Sequence, residues 1–464
     1  MSTAPLAPQG GVLQAYRFAL DPNGEQTALL RSHCGAQRRA FNWGLALVKA
    51  NLDQRAAERS YGLSGDALTP TVNWSAYALR KKWNTVKDDV APWWRENSKE
   101  AYASGLANLA AALSNWSASR CGERRGARAR FPRFKSKRAP LSCRFTTGVF
   151  GLADADRRHV KLPRIGVVRT HESTRKLARR LEAGTARIRS ATVTYRRGRW
   201  FVSFCVEVQR RAESLPRSGA VVGVDLGVKH LAVLSQPVAG VSDEHGMVAN
   251  PRHLDHAQRK LRRLQRRASR RRGPDKRTAA KPSRRWLRTN AEVTRLHGRV
   301  ANARGDGLHR LTSALTRRFG TIVVEDLHVV GMLRNHRLAR RIADAGWGEL
   351  RRQLDYKTRW RGTGLLVADR WYPSSKTCSN KSCGAVKAKL RLSDRVFRCD
   401  QCGLVLDRDY NAARNLAALA ANVDGGASSP SCGATRNEPD GNPGKTSRAG
   451  SGYRHGKPHE GNAA

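Results

Sequence analysis

Apolar residues change period several times along this chain, and each change marks an element. Leu13 to Leu20 is short and alternates in part, which predicts a strand. Downstream, Leu30, Cys34, Phe41, Leu45 and Val48 recur at helical intervals. Asn23 with Gln26 three residues on has the form of a capping box, so the helix is expected to begin there. The stripe resumes at Leu106, Leu109, Ala110 and Leu113, and Trp74, Trp83, Trp93, Trp94 and Trp116 fall in the same region. A helical bundle of about 100 residues needs such large apolar anchors, so most of these indoles read as core.

From Phe131 to Arg138 the chain turns basic, with two aromatics and a proline. Ala191 to Tyr195 and Trp200 to Val206 flank Arg196-Arg197-Gly198-Arg199, the pattern of a hairpin with a cationic turn. Ala220 to Val224 is an apolar run ending in Asp225, and Leu231 to Leu234 makes a second strand. Leu254, Ala257, Leu261, Leu264 and Ala268 then predict a helix that Gly273-Pro274 breaks, with Val293, Leu296, Val300 and Ala303 marking a returning one. Thr321 to Val324 is a further buried strand, ending in Glu325-Asp326. Beyond Asn422 the chain is rich in Gly, Ser, Asn and Pro without apolar period, so residues 422–464 are expected to be a disordered tail.

Composition narrows the class. Lys and Arg number 87 against 37 Asp and Glu, a formal charge of +50 that points to a long polyanion as partner. An ordinary DNA-binding module makes about 6–10 phosphate contacts, whereas a guide–target duplex of about 20 base pairs carries on the order of 40 phosphates. The excess charge suits the larger load. Between Arg259 and Arg288 fifteen of thirty residues are Lys or Arg, which is denser than solubility requires, so Arg262, Arg263, Arg266 and Arg267 are candidate phosphate contacts. Arg133, Lys135, Lys137 and Arg138 form a second candidate set. No apolar stretch approaches the roughly 20 residues of a spanning helix, and the first residues lack the form of a secretory signal. A soluble cytoplasmic protein associated with the nucleoid is expected. Nine cysteines, five of them isolated, suit a reducing compartment with one metal cluster rather than a disulfide framework.

Two ligand sets carry the chemistry. Asp225 and Glu325 each end an apolar strand, where a buried carboxylate is costly unless a cation or donors compensate it. If their strands are neighbours in one sheet, the two acids converge at one edge and call for a divalent metal. Asp409, where a loop is expected to become a helix, completes a set of hard oxygen ligands able to hold two Mg²⁺ ions about 3.5–4 Å apart and hydrolyse a phosphodiester. Cys378 and Cys383, then Cys399 and Cys402, have the spacing of a tetrahedral zinc site; four thiolates leave no open position, so this zinc is expected to be structural. Gly384 and Gly403 follow the second cysteine of each pair, where a tight turn is needed.

The motifs together resemble the TnpB (OrfB) family of transposon-encoded RNA-guided nucleases, related to type V CRISPR effectors. Gly223-Val224-Asp225-Leu226-Gly227, Val324-Glu325-Asp326-Leu327 and Asp407-Arg408-Asp409-Tyr410-Asn411-Ala412-Ala413 are similar to its three RuvC motifs, and Phe131-Pro132-Arg133-Phe134-Lys135 to its basic motif. The likeness runs over residues 12–418. It departs at the first cysteine pair, which encloses four residues instead of two. The resemblance implies a multidomain α/β architecture. Residues 1–22 and 131–214 would form a wedge-like β-barrel, interrupted by a helical recognition lobe at 23–130. Residues 215–371 and 405–421 would form an RNase H-like RuvC core with the zinc ribbon, 372–404, inserted. It further implies a guide RNA from the transposon end, double-stranded target DNA, a bacterial host and a transposase or recombinase encoded alongside. Two other readings stay open: a DNA-binding accessory that does not cut, and a strand-joining transposase.

Overall fold

A computed structural model describes residues 11–424, except 125, 154–155, 210–219, 276 and 392, with side chains to residue 420. Of the expected tail, residues 422–424 belong instead to the last helix, and 425–464 lie outside the described residues. No helix among these residues is long and apolar enough to cross a membrane.

The first half runs β1 (Val12–Asp21), α1 (Gly24–Ser60), α2 (Ala76–Val90), α3 (Lys99–Arg120), β2 (Ser142–Phe145), β3 (Gly151–Leu152), β4 (His159–Leu162), β5 (Gly166–Thr170), α4 (Arg175–Glu182), β6 (Ala186–Arg196) and β7 (Arg199–Val208). The capping box forms: Asn23 Oδ1 accepts from the Gln26 backbone N–H at 2.8 Å, and Gln26 Oε1 accepts from that of Asn23 at 3.2 Å. Inside the bundle Trp83 is buried and stacks on Tyr102, with ring centroids 5.2 Å apart, while Trp116 meets Phe131 edge-on.

Strands β1 to β7 make one antiparallel sheet in the order β2-β6-β7-β1-β5-β4-β3. Thus β1, far upstream of its neighbours in sequence, sits in the middle, and the helical lobe is an excursion from this sheet. Its two edges, β2 and β3, are joined by no pairing among the described residues. The predicted hairpin is present, with Arg197 and Gly198 both at positive φ in a two-residue turn, as right-twisted strands favour. Its strands are longer than the apolar pattern suggested. Arg187 and Arg189 interrupt that pattern, yet both lie on the open face while their neighbours continue the ladder.

The second half runs β8 (Val221–Asp225), β9 (His230–Leu234), β10 (Met247–Ala249), α5 (His253–Ser269), α6 (Arg284–Arg318), β11 (Thr321–Glu325), α7 (Val329–Met332), α8 (Ala339–Ala345), α9 (Trp347–Arg361), β12 (Gly364–Ala368), β13 (Val396–Arg398), β14 (Val405–Asp407) and α10 (Arg408–Asp424). A five-stranded mixed sheet has the order β10-β9-β8-β11-β12, antiparallel from β10 to β8 and parallel from β8 to β12. Val222, Val224, Ile322 and Val324 pack with Leu308, Leu311 and Leu315 of α6 and Leu350 and Leu354 of α9. On the other face Val323 and Ala368 pack with Leu416 and Ala420 of α10. Covering both faces explains why these strands read as unbroken apolar runs instead of alternating ones. The four-cysteine segment lies between β12 and α10, where β13 and β14 pair and Phe397 fills the small core beside Cys378 and Cys399.

Candidate metal centres

Parallel pairing of Val224 with Val324 makes Asp225 and Glu325 the next residues out of neighbouring strands, at the same sheet edge. The third acid is delivered by close packing. A Cβ on Gly223 would lie 2.0 Å from the Ala413 carbonyl oxygen and 2.6 Å from the Ala417 nitrogen, so only glycine lets α10 rest directly on β8. Asp409 sits one helical turn before Ala413, in the first turn of α10. Asp407 instead caps that helix, its Oδ1 accepting from the backbone N–H groups of Asp409 at 2.9 Å and Tyr410 at 3.1 Å. That division explains why Asp409, and not Asp407, is the acid left to face Asp225.

Asp225 is buried, and burial first, then the charges of Glu325 and Asp409, hold its carboxyl well above the usual range. Glu325 is raised chiefly by burial, against a bond from Ser374 Oγ to its Oε1 at 2.9 Å. Arg408 supplies the nearby positive charge. Its Nε and Nη2 donate to Asp409 Oδ1 at 3.1 and 3.0 Å, and it also draws the Asp225 carboxyl downward. The three acids are still not gathered as an ion would draw them: among the described residues only the cysteines form a set with every ligand atom within 4.8 Å of the others. Two carboxylates raised first by burial and then by neighbouring negative charge, with a third acid beside them, fit a hard divalent cation.

The cysteines are already assembled. Cys378 and Cys402 sulfurs lie 3.5 Å apart and those of Cys383 and Cys399 3.7 Å apart. A tetrahedral zinc with bonds of about 2.3 Å requires sulfur separations of about 3.8 Å, so the donor set fits. The four-residue loop of the first pair closes because the Asn380 carbonyl accepts from both Cys383 and Gly384 N–H groups, at 3.0 and 3.2 Å. Gly384 and Gly403 both adopt positive φ, as the knuckle turns require.

A strap joins the two centres, and its residues carry no signal in apolar pattern or spacing. Asn411 Nδ2 donates to the Thr377 carbonyl at 2.7 Å, and Asn411 Oδ1 accepts from the Ser379 N–H at 3.0 Å. Asn415 Nδ2 donates to the carbonyls of Ser374 at 2.8 Å and Thr377 at 2.6 Å. The helix bearing Asp409 is thereby tied to the backbone on both sides of Cys378, and the same segment sends Ser374 to Glu325. The clue that could have found these amides is their own type: two asparagines four apart on a helix face otherwise built of alanine and leucine.

The candidate phosphate contacts lie apart from these centres in the chain. Arg133, Lys137 and Arg138 are exposed, whereas Lys135 stands 3.8 Å from the Phe41 ring centroid, its backbone bonded to the Asn42 side chain. On α5, Arg262, Arg263 and Arg266 are exposed, and Arg267 pairs with Glu292 at 2.5 Å.

Family models match three stretches of the chain: one described as "Probable transposase" (OrfB_IS605) over residues 203–336, a "Helix-turn-helix domain" of the same group over 12–56, and a "Cas12f1-like, TNB domain" over 347–416. The stretch 12–56 folds here as β1 and the single long helix α1. A Mycobacterium tuberculosis protein named "Putative RNA-guided DNA endonuclease" is 43% identical over 428 residues, covering 88% of this chain and 87% of its own. Similarly named proteins of Streptomyces pristinaespiralis and Escherichia coli K12 are 33% and 31% identical, covering 89% and 88% of this chain and 91% and 92% of theirs. Likeness of this degree over nearly nine-tenths of the chain, together with the matching family models, means that the chain belongs to the TnpB-like OrfB family.

Proposed function

We propose that the chain is an RNA-guided DNA endonuclease of a mobile element, with Asp225, Glu325 and Asp409 as its magnesium ligands and catalytic acids. The observation that carries this reading is the parallel register of β8 and β11, which brings the buried Asp225 and the half-buried Glu325 to one sheet edge beneath the helix bearing the third acid. The strand order, with three antiparallel strands continued by two parallel ones, supports an RNase H-like RuvC core. Magnesium bound there would activate water and stabilise the leaving oxygen of a phosphodiester.

The protein's own residues set the stage for that step. Asp225 and Glu325 offer hard oxygens from a rigid sheet edge, and Ser374 fixes the orientation of Glu325. Arg408 holds Asp409 until a stronger positive charge competes for it. Zinc, held by Cys378, Cys383, Cys399 and Cys402, would contribute folding energy to the ribbon and no open coordination position. The net charge of +50 supports holding a guide RNA and its DNA heteroduplex by their backbones. A non-cutting accessory would have no need to keep three acids at such electrostatic cost.

The test is cleavage of a plasmid matched to the RNA that co-purifies with the protein. Linearisation with Mg²⁺ and none without it is expected. A discrete bound RNA with no cutting under either condition would leave the accessory reading, and a joined-strand product would favour the transposase.

A further inference from the structure

One buried carboxylate takes no part in the acid site. Asp344, in α8, has a side chain only 7% exposed, and both of its oxygens are bonded. Oδ2 accepts from the Leu254 backbone N–H, in the first turn of α5, at 2.8 Å. Oδ1 accepts from Arg304 Nη1, on α6, at 3.3 Å, and the same nitrogen donates to the Ala343 carbonyl at 3.1 Å. The bond to Leu254 answers a defect in α5 itself. Helices α1, α2, α3 and α6 each open on a residue whose own side chain caps them. Arg252, at the start of α5, has φ 42° and makes no such bond. Asp344 supplies the cap from another helix, placing negative charge at the positive end of α5.

A second observation concerns packing. Helix α6 is rooted in the nuclease core through Leu308, Leu311 and Leu315, but of α5 only Leu264 is buried. The helix that carries Arg262, Arg263, Arg266 and Arg267 is therefore held at its start by polar ties. Two more of these come from α8: Arg340 Nε lies 3.5 Å from Asp255 Oδ1, and Arg340 Nη1 reaches Gln258. With the Gln258 amide turned so that its oxygen faces both guanidiniums, it accepts from Arg340 at 2.7 Å and from Arg262 Nη2 at 2.8 Å. In its turn α8 is fixed firmly. Ile342 and Ala345 are buried in the same cluster as Val224 and Val324, which directly precede Asp225 and Glu325. Asp344 thus links a thinly packed cationic helix to the strands that carry the acids.

We propose that Asp344 is a positioning residue for cutting: it fixes α5, and with it the nucleic-acid backbone that α5 holds, at a set place relative to the acids. The role rests on the reading of α5 as a phosphate-contacting helix and of the acids as a nuclease centre, but the link itself is measurable without cutting. Asp344 touches neither nucleic acid nor metal. Without it the first turn of α5 loses its cap, and a slip of one residue along the helix axis would shift every arginine of α5 by about 1.5 Å. Misplacement of about 1 Å at reacting atoms is enough to cost about 100-fold in rate.

The experiment compares the ribonucleoprotein as purified with its Asp344→Ala and Asp344→Asn variants. Asparagine keeps an acceptor for Leu254 and loses the charge for Arg304, so it decides the matter alone if the alanine variant does not fold. Neither change removes a cation, so guide-RNA affinity and its salt slope should stay at the wild-type values. With Mg²⁺, single-turnover cutting of an end-labelled matched duplex should fall by about 10–100-fold in Asp344→Ala and by less in Asp344→Asn. The cuts should also spread to phosphodiesters beside the wild-type ones. Hydrogen exchange without Mg²⁺ reads the link directly: bound RNA should slow exchange in both α5 and α8 of the wild type, but in α5 alone once Asp344 is replaced. Wild-type cut positions and wild-type protection of α8 in the variants would overturn the proposal. So would slower cutting at unmoved positions that merely follows a lower melting temperature or weaker RNA binding, the result a purely structural residue gives. If the wild-type complex cuts nothing while protection of α8 depends on Asp344, the positioning role stands and the nuclease reading falls.

Discussion

The four ribbon sulfurs lie within 4.8 Å of one another, whereas the three acids, drawn from β8, β11 and α10, do not all come that close, and one of them, Asp409, is paired with Arg408. The cysteine site is local: two glycine turns and an asparagine-braced loop aim thiols from one small insertion. The acidic site is made by sheet register and by one close helix–strand contact, and its members repel. A site made locally can be complete before its ion arrives. A site made by tertiary packing of like charges carries repulsion that a bound cation would relieve. The strap of Ser374, Asn411 and Asn415 lets the first kind brace the second.

The sharpest break of this contrast is removal of an acid. Asp225→Ala, Glu325→Ala or Asp409→Ala should abolish plasmid cutting while leaving guide-RNA binding nearly unchanged. Detectable cleavage by any one of them removes that residue from the mechanism. Next in size is Gly223→Val, which should push α10 off β8, destabilise the fold by about 1–3 kcal/mol through overpacking and end cutting. An unshifted thermal melt with normal activity would show that the helix yields without harm. Ser374→Ala should lower Mg²⁺ affinity or cutting by about 10–100-fold, as loss of a ligand-orienting partner does. Cys399→Ser should remove zinc, read by elemental analysis, and bring a comparable loss, because the segment carrying Ser374 is then untied. Full cutting by a zinc-free variant would mean that the two centres are independent.

The smallest effect is on stability and pH. Folding raises the pKa values of Asp225 and Glu325, so the folded protein keeps its protons there to higher pH than the unfolded chain. Their stabilising contribution is therefore full below the ordinary carboxylate range and is lost as pH climbs through the raised values. In EDTA the melting temperature should fall across that window, Mg²⁺ should flatten the fall, and Asp225→Asn should remove much of it. A melt that does not respond to pH or Mg²⁺ would show that the acids are less crowded than their burial implies.

The two strands that carry the candidate acids were legible because a strand covered on both faces is an unbroken apolar run, and a carboxylate at its end is conspicuous. Ala220 to Val224 and Thr321 to Val324 read as strands for that reason, each lying within a residue of the observed β8 and β11, and the cysteines read from spacing alone. The α5 helix, with Leu254, Leu261 and Leu264 at helical steps, was equally plain. Gly223, Ser374, Arg408 and Asn415 were not, because their roles exist only once β8 lies beside β11 and α10 lies on top. Short strands such as β3 and β10 have too few residues to show a period. Arg187 and Arg189 hid the start of β6 because a solvent-facing strand position accepts charge freely.

The amide pair of α10 has a practical consequence for anyone wishing to shorten this protein. Asn411 is fully buried and Asn415 is 4% exposed, and the described partners of their side chains all belong to the segment leading into the first knuckle. Deleting the ribbon would strand those amides in the interior, at about 1–3 kcal/mol for each group left unmatched. A miniature version that excises residues 372–404 would have to convert both asparagines to apolar side chains in the same step, and it would also give up the Ser374 hydroxyl that bonds Glu325.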